Sequence, residues 1–375
     1  MTASNPARPL RIAQMLESDG PGGAETVLVR LSTELRARGH TVFPVGPDRG
    51  IGWLGARLRE QGFEPDTFSI RRPLDWRCLR GMIRLLRARR VDVVHSHEFT
   101  MAVYGAAAAR WLGVPHVITM HGSQYVMAKW RRRVALQAAF RSSVHVVGVS
   151  ADTTAHLERE MGIPPGTLIR TVSNGVPFRE GDRAAVRRAL DVTDREILLF
   201  AAGNLIERKG HAVLIRALAS LRPPASEIPW RLAIAGQGVE LERLRSLAAE
   251  MGVGDRVHLL GQRGDIMDLQ TAADIFVMPS LWEGLPLALL EAMHAGTAIV
   301  ASRTSGIPEA ITDGVDGVLT PPGDVQSLAD ALATLLVSAD LRTRLGTAAR
   351  RRARAQFSME RMTDEYEALY RSPAG

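Results

Sequence analysis

Short apolar runs alternate with amphipathic helical stretches from one end of the chain to the other, and this alternation limits the fold more than any other feature. Strand-length runs joined by helix-length ones are βαβ units, which build parallel sheets. In the first half the strand-like runs are Arg11–Leu16, Thr41–Val45, Val91–His95, His116–Met120 and His145–Val149. A helix is expected over Ala24–Arg38, closed by Gly39, and Ser150 or Asp152 suits the cap of a helix running toward Glu160. The pattern then restarts with Ile197–Ala202, Arg231–Ala235, Val257–Leu260, Ile275–Met278 and Ala298–Ala301. Two such sets in 375 residues exceed one ordinary core, so two doubly wound α/β domains are expected, facing each other across a cleft. Turn formers cluster at Ser173-Asn174-Gly175-Val176-Pro177, which places the domains at 1–177 and 178–355. In the remaining stretch, 356–375, Met362, Tyr366 and Leu369 have helical spacing. That helix either caps the second domain or crosses back to the first.

Composition narrows the setting. Hydrophobic residues make up 46% and charged ones 23%, the balance of a globular chain and not a disordered one. The single cysteine, Cys78, excludes an internal disulfide and a cysteine-rich zinc site, and suits a reducing cytoplasm. Met1–Pro9 holds no apolar core for a signal peptide. The uncharged run Trp111–Ala128 is interrupted by Pro115, His121, Ser123 and Gln124, so it is not expected to span a bilayer. The net charge of +7 comes almost wholly from arginine, since the only lysines are Lys129 and Lys209. Arginine and alanine bias of this kind reflects a GC-rich genome, so a local cluster says more than the total. Lys129-Trp130-Arg131-Arg132-Arg133, with Val134, Leu136 and Phe140 behind it, is such a cluster. It reads either as a solvated arginine face or as a contact for an anionic membrane or lipid-linked pyrophosphate. Nucleic acid is not an expected partner, because no stacking platform accompanies the charge.

Open α/β sheets bind ligands beyond the carboxyl ends of their strands, so chemistry belongs in the strand-to-helix loops. The segment Pro279-Ser280-Leu281-Trp282-Glu283-Gly284-Leu285-Pro286 leaves a buried-type strand and enters the helix Leu287–Ala295. Gly284 admits close approach of a ligand, and the free N–H groups of a helix start suit a diphosphate. Glu283 and Glu291 would then accept hydrogen bonds from sugar or ribose hydroxyls, unless they are only an acidic helix start and a solvated side chain. Gly203-Asn204-Leu205-Ile206-Glu207-Arg208-Lys209-Gly210 also joins a strand to a helix, and there the Lys209 ammonium suits a leaving diphosphate. Gly20-Pro21-Gly22-Gly23-Ala24-Glu25 is a glycine-rich turn without the full dinucleotide pattern. His121 ends one strand and His97 tops another; either is a satisfied loop residue or a ligand contact, with His97 facing an acceptor. No Asp-x-Asp occurs, which counts against a metal-clamped diphosphate.

Glu283 and Glu291, separated by seven residues and with Gly284-Leu285-Pro286 after the first, resemble the E-x7-E motif of the retaining GT-B glycosyltransferases of family 4. Gly261-Gln262 through Pro279-Ser280, then Ser305-Gly306-Ile307-Pro308-Glu309 and Gly317-Val318-Leu319, are similar to that family's second half in order and spacing. The resemblance is strongest over Leu198–Pro322 and looser before it. It implies a sugar moved from a nucleoside-diphosphate sugar, UDP- or GDP-linked, to an acceptor hydroxyl, without metal or cofactor and with retention. It assigns Glu283 to donor-sugar hydroxyls, Glu291 to the ribose and Lys209 to the diphosphate. Gly284 and Leu285 then line the donor, and backbone near Gly261–Arg263 reads the base. His121 contacts the donor sugar, and Gly23 packs against phosphate or acceptor. Asn204 stands where many relatives carry an arginine; Arg208 is the candidate to compensate.

The expected setting is bacterial exopolysaccharide or lipopolysaccharide synthesis, in the cytoplasm or on the inner face of the plasma membrane. The expected acceptor is a lipid-linked glycan, with a small molecule as the alternative. The rival functions are a non-catalytic nucleotide-sugar binder, if Asn204 cripples the phosphate site, and a sugar-nucleotide epimerase on the same fold.

Overall fold

The computed structural model describes residues 8–48, 52–72, 75–122 and 130–372. The chain divides into two compact units: Met1–Asn174 with Met359–Gly375, and Gly175–Ser358.

In unit 1, seven parallel strands form one sheet: β1 (Arg11–Met15), β2 (Thr41–Pro47), β3 (Asp66–Phe68), β4 (Val93–His97), β5 (His116–Met120), β6 (His145–Gly148) and β7 (Ile169–Thr171). Their order is β3-β2-β1-β4-β5-β6-β7, so the winding reverses between β1 and β4. Helices cover both faces, and β4, β5 and β6 are therefore buried along their whole length instead of alternating. Unit 2 repeats the plan with β8 (Ile197–Ala202), β9 (Trp230–Ala235), β10 (Val257–Leu259), β11 (Ile275–Met278), β12 (Ala298–Ser302) and β13 (Val318–Thr320), ordered β10-β9-β8-β11-β12-β13. Its winding reverses between β8 and β11.

Three short strands, β3, β7 and β13, escape a reading by apolar runs. Each has three residues, and Asp-Thr-Phe or Ile-Arg-Thr carries too little pattern to stand out. They form because a neighbouring strand already presents a row of backbone groups. Strand β4 also lies two residues further along than the pattern suggests. Val91 and Asp92 lead into it, and the polar His95, Ser96 and His97 are strand residues with no exposure. The local helix signals hold. Gly39, at φ +90, follows the helix Gly23–Ala37, and Ser150, not Asp152, caps Ala151–Met161 by accepting from the Thr153 N–H.

The last helix, Met359–Arg371, packs in unit 1 against Gly23–Ala37. Met359, Met362, Thr363, Tyr366, Leu369 and Tyr370 are its buried face, a stripe at helical spacing. Around the rim, Arg38 pairs with Glu367 at 2.6 Å and Asp364 at 2.5 Å, and Glu367 also meets His40 at 2.6 Å. Asp364 is largely exposed, so water weakens that part of the cluster, while Tyr366 is wholly buried. The apolar stripe, more than the ions, holds this helix. Tyr366→Ala should cost about 3–5 kcal/mol by chemical denaturation. Arg38→Ala should cost about 1 kcal/mol.

Candidate functional site

In unit 2 the loops after β8 and β11 lie side by side at the point where the sheet order reverses. Gly210 makes their approach possible: it adopts φ +68, and a Cβ there would collide with the Pro279 carbonyl. The Leu281 N–H donates to the Arg208 carbonyl at 2.8 Å and fastens one loop to the other. Across this junction Lys209 Nζ donates to Glu283 Oε1 at 2.5 Å, and the Ser280 hydroxyl donates to the same oxygen at 2.7 Å. Arg208 lies 3.8 Å from Glu283 Oε2, donates to the Trp282 carbonyl at 3.2 Å and sits over the Trp282 ring. Glu283 is 5% exposed, so its charge is compensated chiefly by partners and hardly by water. The arrangement concentrates an ammonium, a guanidinium and a buried carboxylate at the carboxyl ends of two adjacent strands.

The other unit 2 residues named from sequence surround this pair. Asn204 is exposed beside Gly203, and Gly284 and Leu285 follow Glu283 directly. Pro286 is the residue before the helix Leu287–Ala295, one position earlier than a first-turn proline. Glu291 lies in that helix and is buried, so the solvated alternative does not hold for it. Gly261 follows β10, and its N-terminal neighbour in space is Gly236, whose N–H donates to the Gly261 carbonyl at 2.8 Å. Gly236-Gln237-Gly238 was not among the expected site residues. A Cβ at Gly236 would overlap the Gly203 carbonyl, and Leu205 N–H donates to Gln237 O at 2.9 Å. This turn therefore supports the lysine loop from below. Its Gly-x-Gly after a strand was the signal available.

In unit 1 the carboxyl ends of β1, β4 and β5 gather a second cluster. The turn Gly20–Gly22 opens the helix Gly23–Ala37, and a Cβ at Gly23 would meet no neighbouring segment within 4 Å among the described residues. His97 Nδ1 lies 2.9 Å from His121 Nε2, with the two rings stacked at 5.2 Å. His97 Nε2 lies 2.8 Å from Gln14 Oε1. So His97 is wholly buried and turned to His121 and Gln14, and the expectation that it faces an acceptor is corrected: buried in the strand, it has both ring nitrogens engaged. His121 is partly exposed and is the ring of the two that a ligand can reach. Burial lowers the His121 pKa to about 4 and that of His97 well below the usual range, so both are neutral at physiological pH.

Glu98 is a member of this cluster that sequence reasoning passed over. It starts the helix Glu98–Leu112 at φ +63, and its carboxylate accepts from the His121 N–H at 2.8 Å. Burial, with the Glu25 charge adding to it, raises its pKa to about 7 against the two backbone N–H groups that lower it. Only the tertiary structure brings Glu25 and Glu98 to one edge. A folded pKa above the unfolded one means that ionisation of Glu98 costs stability, starting near the unfolded value of 4.5 and complete above about 7. Glu98→Gln should therefore stabilise the protein at pH 8 relative to pH 5, by on the order of 2–3 kcal/mol. Urea denaturation of both forms at the two pH values measures it.

Lys129 lies outside the described residues. Trp130–Ser142 is a helix, with Trp130 70% and Val134 53% exposed and Arg131, Arg132 and Arg133 also exposed, while Leu136 and Phe140 face the core. No described helix is long and apolar enough to cross a membrane.

Two family models match the chain in succession: residues 21–180 fit "Glycosyltransferase Family 4" and residues 182–352 fit "Glycosyl transferases group 1". A D-inositol 3-phosphate glycosyltransferase of Saccharomonospora viridis is 35% identical over 303 residues, 75% of this chain and 70% of that protein. The lipopolysaccharide core biosynthesis glycosyltransferase LpsE of Rhizobium meliloti is 35% identical over 205 residues, 54% of this chain and 58% of its own. Among solved structures, Anabaena HepE in complex with UDP superposes with a TM-score of 0.84 at 21% identity, covering 96% of this chain and 99% of that one. The two parallel-sheet units are those of the GT-B architecture.

Proposed function

The chain belongs to the group 1 glycosyltransferases and is a glycosyltransferase enzyme; on that premise we propose that it moves a sugar from a nucleoside-diphosphate sugar to an acceptor hydroxyl with retention of configuration. The observation that carries the proposal is the Lys209–Glu283 pair at the carboxyl ends of β8 and β11, with Glu291 buried in the helix that follows. A donor offers each partner a better match: its diphosphate takes the Lys209 ammonium, and its sugar hydroxyls take Glu283. Glu291 is assigned to the ribose, with Gly284 and Leu285 along the donor. Arg208 adds positive charge where Asn204 cannot. Backbone near Gly261 is assigned to the base, UDP or GDP, and HepE in complex with UDP supports the uridine form. In unit 1, His121 is assigned to the transferred sugar and Gly23 to the phosphate or acceptor.

The chemistry follows from where charge develops. The bond between the anomeric carbon and the phosphate oxygen breaks, and the acceptor oxygen attacks the same face of an oxocarbenium-like centre. The departing phosphate oxygen takes the acceptor proton. Negative charge grows on the diphosphate, where Lys209, Arg208 and nearby helix starts stabilise it without a metal ion. Lys209→Ala and Glu283→Ala should each lower transfer by about 100-fold or more, and Lys209→Ala, which leaves the buried Glu283 with Ser280 and Arg208, should also lose stability. Near-normal turnover of either variant counts against the assignment. The product's anomeric coupling constant reads retention directly, and transfer that persists in EDTA supports the metal-free mechanism.

The acceptor assigned first is a lipid-linked glycan of bacterial exopolysaccharide or lipopolysaccharide synthesis, met at the cytoplasmic membrane face. The exposed Trp130, Arg131–Arg133 and Val134 favour it, as does similarity to LpsE. Similarity to a D-inositol 3-phosphate glycosyltransferase favours a small polar acceptor as the second reading. Release of nucleoside diphosphate that depends on membrane extract, and not on inositol phosphate, separates the two. No release of nucleoside diphosphate with either acceptor would speak instead for a sugar-nucleotide binder or for an epimerase, which leaves the diphosphate on the sugar.

A further inference from the structure

Behind His121, within unit 1, runs a continuous line of buried polar side chains that ends on the last helix. His121 Nε2 meets His97 Nδ1 at 2.9 Å, and His97 Nε2 meets Gln14 Oε1 at 2.8 Å. Gln14 Nε2 donates to the Tyr370 hydroxyl at 3.1 Å, and that hydroxyl lies 2.6 Å from His95 Nδ1. His95 Nε2 continues to Thr119 Oγ1 at 2.8 Å, and Thr119 to the Tyr366 hydroxyl at 2.9 Å. Gln14, His95, His97 and Thr119 have no exposure, so water does not compete for these bonds.

The orientation of the Gln14 amide, oxygen toward His97 and nitrogen toward Tyr370, gives this line its direction. An amide oxygen only accepts and an amide nitrogen only donates. With the oxygen on His97, that ring must carry its proton on Nε2, which leaves Nδ1 to accept from His121. His121 is then protonated on Nε2 and bare on Nδ1. On the other side, Tyr370 accepts the Gln14 N–H and gives its own proton to His95 Nδ1. Turning the Gln14 amide over would reverse every bond, and His121 would be protonated on Nδ1 instead. A neutral imidazole offers a ligand either a donor or an acceptor at its free nitrogen, never both.

We propose that Tyr370, Gln14 and His97 are positioning residues that hold His121 in its Nε2–H tautomer, so that Nδ1 is presented as an acceptor to a substrate hydroxyl. The kinetic half of this rests on the assignment of His121 to the transferred sugar; the tautomer itself does not. The line also gives the last helix a part in the chemistry of a site on the sheet edge, through one hydroxyl group.

Ring 15N and 13C correlation spectra of the full-length protein report the His121 tautomer without any substrate. The wild type should show one species, protonated on Nε2. Tyr370→Phe leaves the Gln14 amide N–H without its acceptor and should give a mixture of both tautomers. It should also lower kcat by about ten-fold with donor KM within about two-fold. A wild-type His121 protonated on Nδ1, or an unchanged single tautomer in Tyr370→Phe, would overturn the proposal. A second pair guards against a folding defect in that variant. His97→Asn keeps an acceptor oxygen on Cγ, where Nδ1 is attached, and should preserve the Nε2–H form and most of the activity. His97→Leu should lose both, and equal tautomers in the two would also count against the line. Normal transfer by His121→Ala, alongside the tautomer change in Tyr370→Phe, would remove His121 from the site and leave the positioning line standing.

Discussion

Parallel pairing is the constraint on which the rest of this molecule depends. A parallel strand cannot be reached by a tight turn, so every connection returns across the sheet, mostly as a helix, and all strand-to-helix loops of a unit open at the same edge. Where the winding reverses, neighbouring loops leave toward opposite faces and a crevice remains between them. In unit 2 that reversal brings together the loops of Lys209 and Glu283, 74 residues apart in the chain. In unit 1 the reversal between β1 and β4 does the same for the turn before Gly23, His97 and Glu98.

Placing charge and imidazole at such an edge has a cost that packing must meet. Glu283 is nearly out of water, and an unpaired carboxylate there would be strongly destabilising. Lys209 and Ser280 satisfy it, and Gly210 and Gly236 let the loops approach closely enough to do so. The buried pair is better understood as specifying where two loops meet than as a net source of stability. The histidines of β4 and β5 follow the same rule with neutral groups. Each is held uncharged by burial: His95 is matched to the Tyr370 and Thr119 hydroxyls, His97 to the Gln14 amide and the His121 ring, and His116 to the Ser96 and Ser143 hydroxyls.

Much of this was legible in advance because its signals are local. Ile197–Ala202 and Ile275–Met278 are apolar, bounded by turn formers, and read as buried strands without reference to anything distant. Glu283 and Lys209 could be singled out because each follows such a strand and precedes a helix. Glu98 could not. Its importance comes from its own left-handed backbone conformation, which its residue type does not announce, and from the His121 N–H and Glu25, neither of which is adjacent to it in sequence. His97 was legible as a residue near a strand end but not as a buried one, because a polar His-Ser-His run resembles a loop until its partners are known.

The sequence by itself determined the two-unit α/β plan and the family, since both rest on periodicity and on short contiguous motifs. Tertiary structure alone decided which loops meet, which carboxylates are paired, and what the last helix contributes. Met362, Tyr366 and Leu369 announce a helix with one apolar face, but an apolar face does not name its partner. Only the fold shows that Tyr370 reaches Gln14 and His95, because hydrogen bonds between residues more than 270 positions apart leave no trace in local pattern.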